Sequence, residues 1–270
     1  MTVAAGNTEL LDIAREVALA AGRLVRQRRT EGVEVAASKS SREDIVTHAD
    51  RESETLIRSL LAEARPDDGF LGEEGGADVG SSGLTWVVDP IDGTVNFLYG
   101  IPHYAVSIAV VEGEPDPATW RALAAVVANP AIGEVFTAAA GGGAFLGTEP
   151  IRVAPASDLS QCLVGTGFSY SADQRLDQAA IVAKLIGRVR DIRRVGTASL
   201  DLCAVACGRL NAYYERGLKP WDHAAGALIA LEAGAAVRGL HGAAATEGFL
   251  LAAEPTVAAE LENLLLELSV

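Results

Sequence analysis

The most chemically informative segment of the chain is residues 86–98, which read Trp-Val-Val-Asp-Pro-Ile-Asp-Gly-Thr-Val-Asn-Phe-Leu. Its apolar start predicts a buried strand that ends on Asp89, after which a proline fixes a turn and Asp92 follows. Two carboxylates held that close need a cation between them, or one must keep its proton. The backbone amides of Gly93 and Thr94, at a predicted helix start, add an anion site. Hard carboxylates beside an anion site indicate Mg²⁺ and a phosphate group.

Three further acidic segments stand where strands are predicted to end or helices to begin. They are residues 44–50 (Asp-Ile-Val-Thr-His-Ala-Asp), 72–75 (Gly-Glu-Glu-Gly) and 221–226 (Trp-Asp-His-Ala-Ala-Gly). A lone Asp at a helix start is normally an N-cap, and Glu-Glu before Gly is normally an exposed turn. Four such segments, together with Lys39, are better explained by one shared site than by four separate structural roles.

Composition limits the partners of the chain. Its 270 residues are 49% hydrophobic and carry a net charge of −14, which allows one large or two closely packed domains. The negative charge argues against a nucleic acid or an acidic membrane surface as partner. No apolar run is long enough to span a bilayer. A sparse, odd set of three cysteines favours a reducing cytoplasm over a disulfide framework.

Hydrophobic periodicity predicts the elements that position these segments. Helices are expected at residues 7–29, 47–64, 173–187, 197–208, 221–233 and 255–268. Strands are expected at 104–112, 121–128, 133–138, 143–153, 162–166, 190–193, 211–215, 235–238 and 248–252. Loops are expected at 75–83 and, as a loop or hairpin, at 30–43. We therefore expect a metal-binding half with helices and an antiparallel sheet (1–150) and an alternating α/β half (151–270).

Together these segments resemble the inositol monophosphatase family of Mg²⁺-dependent, lithium-sensitive sugar phosphatases. Residues 89–94 (Asp-Pro-Ile-Asp-Gly-Thr) are similar to the first signature of the family, and residues 221–226 to its second. Residues 95–102 look closest to bacterial inositol-1-phosphatases of the actinobacterial type. The likeness covers about residues 8–252, including segments 44–50, 72–74, 194–198 and 213–215. It implies an α+β fold, the layered αβαβα sandwich of the inositol monophosphatase and fructose-1,6-bisphosphatase type.

The resemblance also implies two or three Mg²⁺ ions and their ligands. Glu73, Asp89 and the carbonyl of Ile91 would hold the first ion. Asp89 would bridge to a second ion, which Asp92 and Asp222 would also bind. A third, mostly hydrated ion would lie near Glu73. Oxygen-only, partly hydrated coordination is the kind that Mg²⁺ prefers.

Catalytic roles follow from the same resemblance. A metal-bound water would attack the phosphate, and Thr94 would pass its proton toward Asp50. Lys39, near the metal site together with Glu73, would steady the water of the third ion or the phosphate, although a solvated loop lysine stays open as an alternative. The substrate contacts implied by the family are Asp92, Gly93, Thr94, Gly196, Thr197, Ala198 and Glu215. A surface-strand role for Glu215 and a helix-cap role for residues 196–197 also stay open.

The expected function is the Mg²⁺-dependent hydrolysis of myo-inositol 1-phosphate by a cytoplasmic homodimer. Three other phosphomonoesters remain alternatives: fructose 1,6-bisphosphate, histidinol phosphate and a 3′-phosphoadenosine nucleotide. An alternative of another class is a regulatory, protein-binding role in which catalysis is secondary.

Overall fold

The structure, a computed structural model, describes residues 3–33, 35–38 and 45–269. Its helices are α1 (Val3–Glu31), α2 (His48–Ala64), α3 (Thr94–Tyr99), α4 (Ala172–Leu185), α5 (Ala198–Ala206), α6 (Pro220–Glu232) and α7 (Pro255–Glu267). The strands up to residue 112 are β1 (Val35–Ser38), β2 (Ile45–Thr47), β3 (Gly69–Gly72), β4 (Gly76–Asp78), β5 (Leu84–Asp92) and β6 (Ala105–Glu112). The later strands are β7 (Arg121–Asn129), β8 (Glu134–Ala139), β9 (Gly143–Leu146), β10 (Glu149–Pro150), β11 (Leu163–Thr166), β12 (Asp191–Arg193), β13 (Ala212–Glu215), β14 (Ala236–Arg238) and β15 (Leu250–Ala253).

Two large sheets divide the strands. The first has eight strands in the order β10-β9-β8-β7-β6-β5-β3-β4 and is antiparallel except where β3 runs parallel to β5. The second has five strands in the order β12-β11-β13-β15-β14, with β11 parallel to both of its neighbours. β1 and β2 form a separate antiparallel pair. All strands of the eight-stranded sheet precede residue 151, and all strands of the five-stranded sheet follow it.

Five layers result from how the sheets and helices bury their apolar faces. The eight-stranded sheet packs one face against α1 and α2 and the other against α5 and α6. The five-stranded sheet also contacts α5 and α6, and its outer face packs against α4 and α7. On β5, Trp86 and Val88 face α1 and α2 while Val87 faces α5 and α6, because successive side chains of a strand point to opposite faces. The expected α+β layered αβαβα sandwich is confirmed.

Several boundaries differ from the sequence prediction. Residues 75–83 contain the short strand β4, whose residues are all exposed, so no hydrophobic alternation reveals it. The strand expected at 143–153 is two strands, because Gly147 adopts a left-handed φ of 62° and turns β10 back onto β9. Helix α1 begins before the predicted cap at residues 7 and 8.

In the described ranges, no helix combines the length and the apolar content that crossing a bilayer requires.

Candidate active site

The predicted end of β5 on Asp89 is wrong, because the strand continues to Asp92 through a bulge. Asp89 pairs with Ser107 of β6 and Asp92 with Ala105, so the register shifts between the two carboxylates. Within the bulge, the Ile91 amide donates a 3.0 Å hydrogen bond to Asp89 Oδ1. We call residues 89–94 the β5 turn. Its two carboxylates are only 2% and 8% exposed, so both lie in the interior.

Gly93 is required where it stands. Its φ of 90° is left-handed, and a Cβ there would lie 2.4 Å from Thr197 Oγ1. The close approach brings the start of α3, at Thr94, against the segment before α5. Gly93 therefore lies against the segment Gly196–Thr197, and the roles of these residues as substrate contacts stay a prediction.

Thr94 and Asp50 form the hydrogen bond that the family resemblance implies. Thr94 Oγ1 lies 3.1 Å from Asp50 Oδ1 and also 3.1 Å from the carbonyl oxygen of Ile91. Because a hydroxyl has one proton to donate, these two acceptors compete for it. The other oxygen of Asp50 accepts hydrogen bonds from the backbone amide and the hydroxyl of Thr47, the N-cap of α2. Asp50 is therefore held with one oxygen facing Thr94.

The pKa of Asp50 is raised to about 7. Burial is the main cause, the Thr47 hydrogen bonds oppose it, and the charges of Glu73 and Glu74 raise it further. A carboxyl group with this pKa exchanges a proton near neutral pH, as an acid–base partner should.

Four carboxylates repel one another around the β5 turn. Burial raises the pKa of Asp89, Asp92 and Asp222, that of Asp92 to about 7, and the charge of Glu73 raises each of them further. A hydrogen bond with Glu73 also raises the pKa of Asp89. Such mutual repulsion in a buried place is relieved by a cation or by protons. The oxygen-only donors fit a hard ion such as Mg²⁺.

Among the described residues, no three His, Cys, Asp or Glu side chains are grouped as the ligands of one metal. The fit to Mg²⁺ rests on the charge and the oxygen donors of the four carboxylates and on the burial of Asp89 and Asp92.

Backbone amides at two helix starts hold two of these carboxylates. Asp92 Oδ2 accepts a 2.7 Å hydrogen bond from the Ser199 amide in the first turn of α5. Asp222 Oδ2 accepts a 2.6 Å hydrogen bond from the Lys219 amide at the start of α6. Amides at a helix start favour a negative charge, so both contacts partly offset the cost of burial.

Asn96 connects the two halves and was missed as a site residue by the sequence analysis. Its side-chain amide donates to the carbonyl oxygens of His103 at 2.8 Å and Val195 at 2.9 Å. Thr197 Oγ1 donates to the same His103 carbonyl at 2.8 Å. Asn96 could have been found from the sequence, because it is a polar residue within the otherwise apolar run Val-Asn-Phe-Leu. Asn96 fixes the Gly196–Thr197 segment next to the β5 turn.

Glu215 ends β13 and accepts a hydrogen bond from the Tyr213 hydroxyl. Burial raises its pKa to about 7, Tyr213 and the charge of Arg194 lower it, and the charge of Asp92 raises it. Asp92 and Glu215 therefore interact electrostatically, while the role of Glu215 as a substrate contact stays a prediction. Asp201, on α5, is a buried carboxylate of this region that the sequence analysis did not single out, and burial raises its pKa.

Lys39 lies outside the described residues, so its place near the metal site stays a prediction. A cavity of about 430 Å³ lies elsewhere, between α2 and the start of β3, and its lining contains none of the predicted site residues. Charged side chains of that cavity are paired with one another, Arg58 with Asp78 and Arg65 with Asp68. We therefore assign the site to the buried carboxylates of the β5 turn, whose charges repel one another.

Three comparisons bear on the chain as a whole. The model of the "Inositol monophosphatase family" matches residues 6–269. The "Inositol-1-monophosphatase" of Mycobacterium leprae is 45% identical, over 96% of this chain and 94% of the relative. The "Nus factor SuhB" of Xylella fastidiosa is 46% identical over 76% and 72%. The crystal structure of the extragenic suppressor protein suhB of Bartonella henselae has a TM-score of 0.86 and 34% identity, over 95% and 98% of the two chains.

Proposed function

The chain belongs to the inositol monophosphatase family, a family of phosphatases, and from this premise we propose that it hydrolyses myo-inositol 1-phosphate with Mg²⁺. The observation that carries the proposal is the hydrogen bond from Thr94 to Asp50 beside the buried carboxylates of the β5 turn. The name of the Mycobacterium leprae relative supports this substrate over the other phosphomonoesters.

We assign the metal ligands as the resemblance implies. Glu73, Asp89 and the Ile91 carbonyl would hold one Mg²⁺, and Asp89, Asp92 and Asp222 would hold a second. A third, weaker ion would lie near Glu73. When bound, Mg²⁺ lowers the pKa of a coordinated water and neutralises charge on the phosphate and the leaving oxygen. Uncatalysed phosphate-monoester hydrolysis is extremely slow, so such charge stabilisation has to supply much of the acceleration.

The side chains of this chain then manage the proton and the substrate. Thr94 Oγ1 takes a proton from the attacking water while its own proton passes to Asp50 Oδ1, 3.1 Å away. Asp50 can hold that proton because its pKa is about 7. The amides of Gly93 and Thr94 bind phosphate oxygens. The substrate hydroxyls contact Asp92, Glu215 and the segment Gly196, Thr197 and Ala198.

A substrate panel tests the choice of substrate. We expect phosphate release from myo-inositol 1-phosphate to be the fastest and to stop when a chelator removes Mg²⁺. The panel should include fructose 1,6-bisphosphate, histidinol phosphate and 3′-phosphoadenosine 5′-phosphate at equal concentration. Rapid release from one of these three, beside slow release from inositol 1-phosphate, would reject the proposed substrate while leaving the phosphatase assignment in place.

The name "Nus factor SuhB" of a 46% identical relative favours one second candidate, a regulatory, protein-binding role in which catalysis is secondary. Asp92→Asn separates the two roles, because Asn still accepts a hydrogen bond from the Ser199 amide but removes a metal-binding charge. We expect a folded protein without phosphatase activity. If a strain carrying it grows like the parent while a deletion strain does not, the binding role is the essential one.

Several further properties belong to the same proposal. We propose that the protein is a cytoplasmic homodimer with a small-molecule phosphate substrate and neither a nucleic acid nor a membrane as partner. We also propose that Li⁺ inhibits it by competing at a Mg²⁺ site. Light scattering of the purified protein tests the dimer, and Li⁺ titration at fixed Mg²⁺ tests the inhibition.

A further inference from the structure

Helix α2 contacts the site through three side chains on its inner face. Asp50 accepts from Thr94, and Ser53 Oγ donates to the Pro90 carbonyl at 3.3 Å. Glu54, one helical turn beyond Asp50, contacts a different segment. Its Oε2 accepts a 2.8 Å hydrogen bond from the backbone amide of Glu74. Since residues four apart share one helix face, a single helix orients both acid-bearing segments.

Glu54 is buried, with 3% of its surface exposed. Its other oxygen lies 3.4 Å from a guanidinium nitrogen of Arg58, which also pairs with Asp78 and stacks 4.0 Å over the Phe70 ring. A buried carboxylate is costly unless it is paired and hydrogen-bonded. Arg58 pairs with the Glu54 carboxylate and the Glu74 amide donates a hydrogen bond to it, so both requirements are met.

The backbone of residues 72–75, which we call the Glu73 turn, is shaped around this carboxylate. A Cβ on Gly72 would lie 2.5 Å from Glu54 Oε2, and a Cβ on Gly75 would lie 2.4 Å from Oε1. Any larger residue at these two positions would push the carboxylate away from the Glu74 amide. The two glycines therefore permit the approach that the hydrogen bond needs.

We propose that Glu54 is a positioning residue that fixes the Glu73 turn for Mg²⁺ binding, an inference that rests on the proposed function. The hydrogen bond orients the peptide unit that joins Glu73 to Glu74, and that peptide sets the direction of the Glu73 side chain. On its other side the turn has the 3.3 Å hydrogen bond from the Glu73 amide to the Val88 carbonyl of β5. Glu54 itself does not bind the ion. Partners that orient metal ligands in this way affect metal affinity about 10- to 100-fold.

Calorimetric titration of the chelator-stripped full-length protein with Mg²⁺ tests this role. Glu54→Leu removes the acceptor at similar size, and we expect it to weaken the Mg²⁺ affinity about 10-fold. Glu54→Gln keeps an acceptor oxygen, so its affinity should stay within about 3-fold of the original. Glu52→Leu is the matched control, an exposed glutamate of the same helix that should leave the affinity unchanged. With substrate, Glu54→Leu should recover most of its kcat at saturating Mg²⁺.

Gly75→Ala provides a second variant in case Glu54→Leu does not fold. It leaves Glu54 in place but displaces its carboxylate, so it too should weaken Mg²⁺ binding. Wild-type affinity in a folded Glu54→Leu or Gly75→Ala protein would overturn the inference. Equal loss in Glu54→Gln and Glu54→Leu would also overturn it, because the acceptor would then be irrelevant. If the unaltered protein binds no Mg²⁺, the proposed function fails and the inference fails with it.

Discussion

The β5 turn and the Glu73 turn carry carboxylates of one site but are held in different ways. The β5 turn is buried and contacts α2 through Ser53 and Asp50 and α5 through the Ser199 amide. The Glu73 turn passes from buried Gly72 to exposed Gly75, and one side chain of α2 holds its outer part.

The two turns therefore differ in how firmly they hold their carboxylates. Several independent contacts fix the β5 turn, so the loss of one leaves the others in place. Beyond the hydrogen bond from the Glu73 amide to the Val88 carbonyl, the outer part of the Glu73 turn is held by the buried carboxylate of Glu54, so its ligand can adjust but is also easily misplaced. We infer that the β5 turn sets the geometry of the reaction and that the Glu73 turn sets how firmly the first ion is held.

The largest expected effect comes from the proton path of the β5 turn. In Asp50→Asn, the amide oxygen satisfies the Thr47 donors and the NH₂ group faces Thr94, which can no longer pass a proton on. We expect kcat to fall about 10²- to 10⁴-fold. Mg²⁺ affinity, measured by calorimetry, should change little because Asp50 is not a ligand. A kcat within about 3-fold of the parent would remove Asp50 from the mechanism.

The next effect is on stability and depends on pH. The pKa values of Asp50, Asp92 and Glu215 are about 7 in the folded protein, far above the ordinary values of 3.8 and 4.5. Between about pH 4 and about pH 7, these three carboxyl groups therefore hold more protons in the folded state than in the unfolded state. The free energy of unfolding of the metal-free protein therefore falls as pH rises from about 4 to about 7.

Mg²⁺ should reverse that loss by stabilising the ionised carboxylates. We expect Mg²⁺ to raise the Tm by at least about 4 °C more at pH 8 than at pH 5, as followed by circular dichroism. NaCl at matched ionic strength is the control. An equal Mg²⁺ effect at both pH values would show that the buried carboxylates are not what the ion neutralises.

The smallest effect is expected for Ser53→Ala, the neighbour of Glu54 on α2. It removes the 3.3 Å contact with the Pro90 carbonyl but leaves the other contacts of the β5 turn in place. We expect a loss of about 1 kcal/mol in the free energy of unfolding and Mg²⁺ affinity within about 2-fold of the parent. A loss of Mg²⁺ affinity as large as that of Glu54→Leu would mean that the β5 turn is as sensitive to the loss of one contact as the Glu73 turn.

The fold was largely predictable because its signals are local. Helices and strands after residue 100 follow hydrophobic periodicity, and their predicted positions match the structure to within a few residues, apart from the division of β9 and β10. The continuation of β5 through Pro90 was not predictable from periodicity. It depends on the β6 ladder resuming at Ala105, a contact between distant parts of the chain.

The charged residues of the candidate site were predictable from sequence motifs. The neutral or distant residues that hold those charged side chains in place were less predictable. The hydrogen bond between Thr94 and Asp50 was expected from the family resemblance. Asn96 and Ser199 were missed because one reads as part of an apolar helix and the other acts through its backbone amide. Glu54 reads as an ordinary helix residue, and only its burial and the glycines packed against it reveal its role.

In the proposed site, Asp89 would be a ligand of two Mg²⁺ ions. Calorimetry on the stripped protein, with inorganic phosphate present, measures the number of ions directly. We expect two tightly bound Mg²⁺ per chain in the unaltered protein and neither of them in folded Asp89→Asn. An Asp89→Asn protein that still binds two ions with undiminished affinity would contradict it.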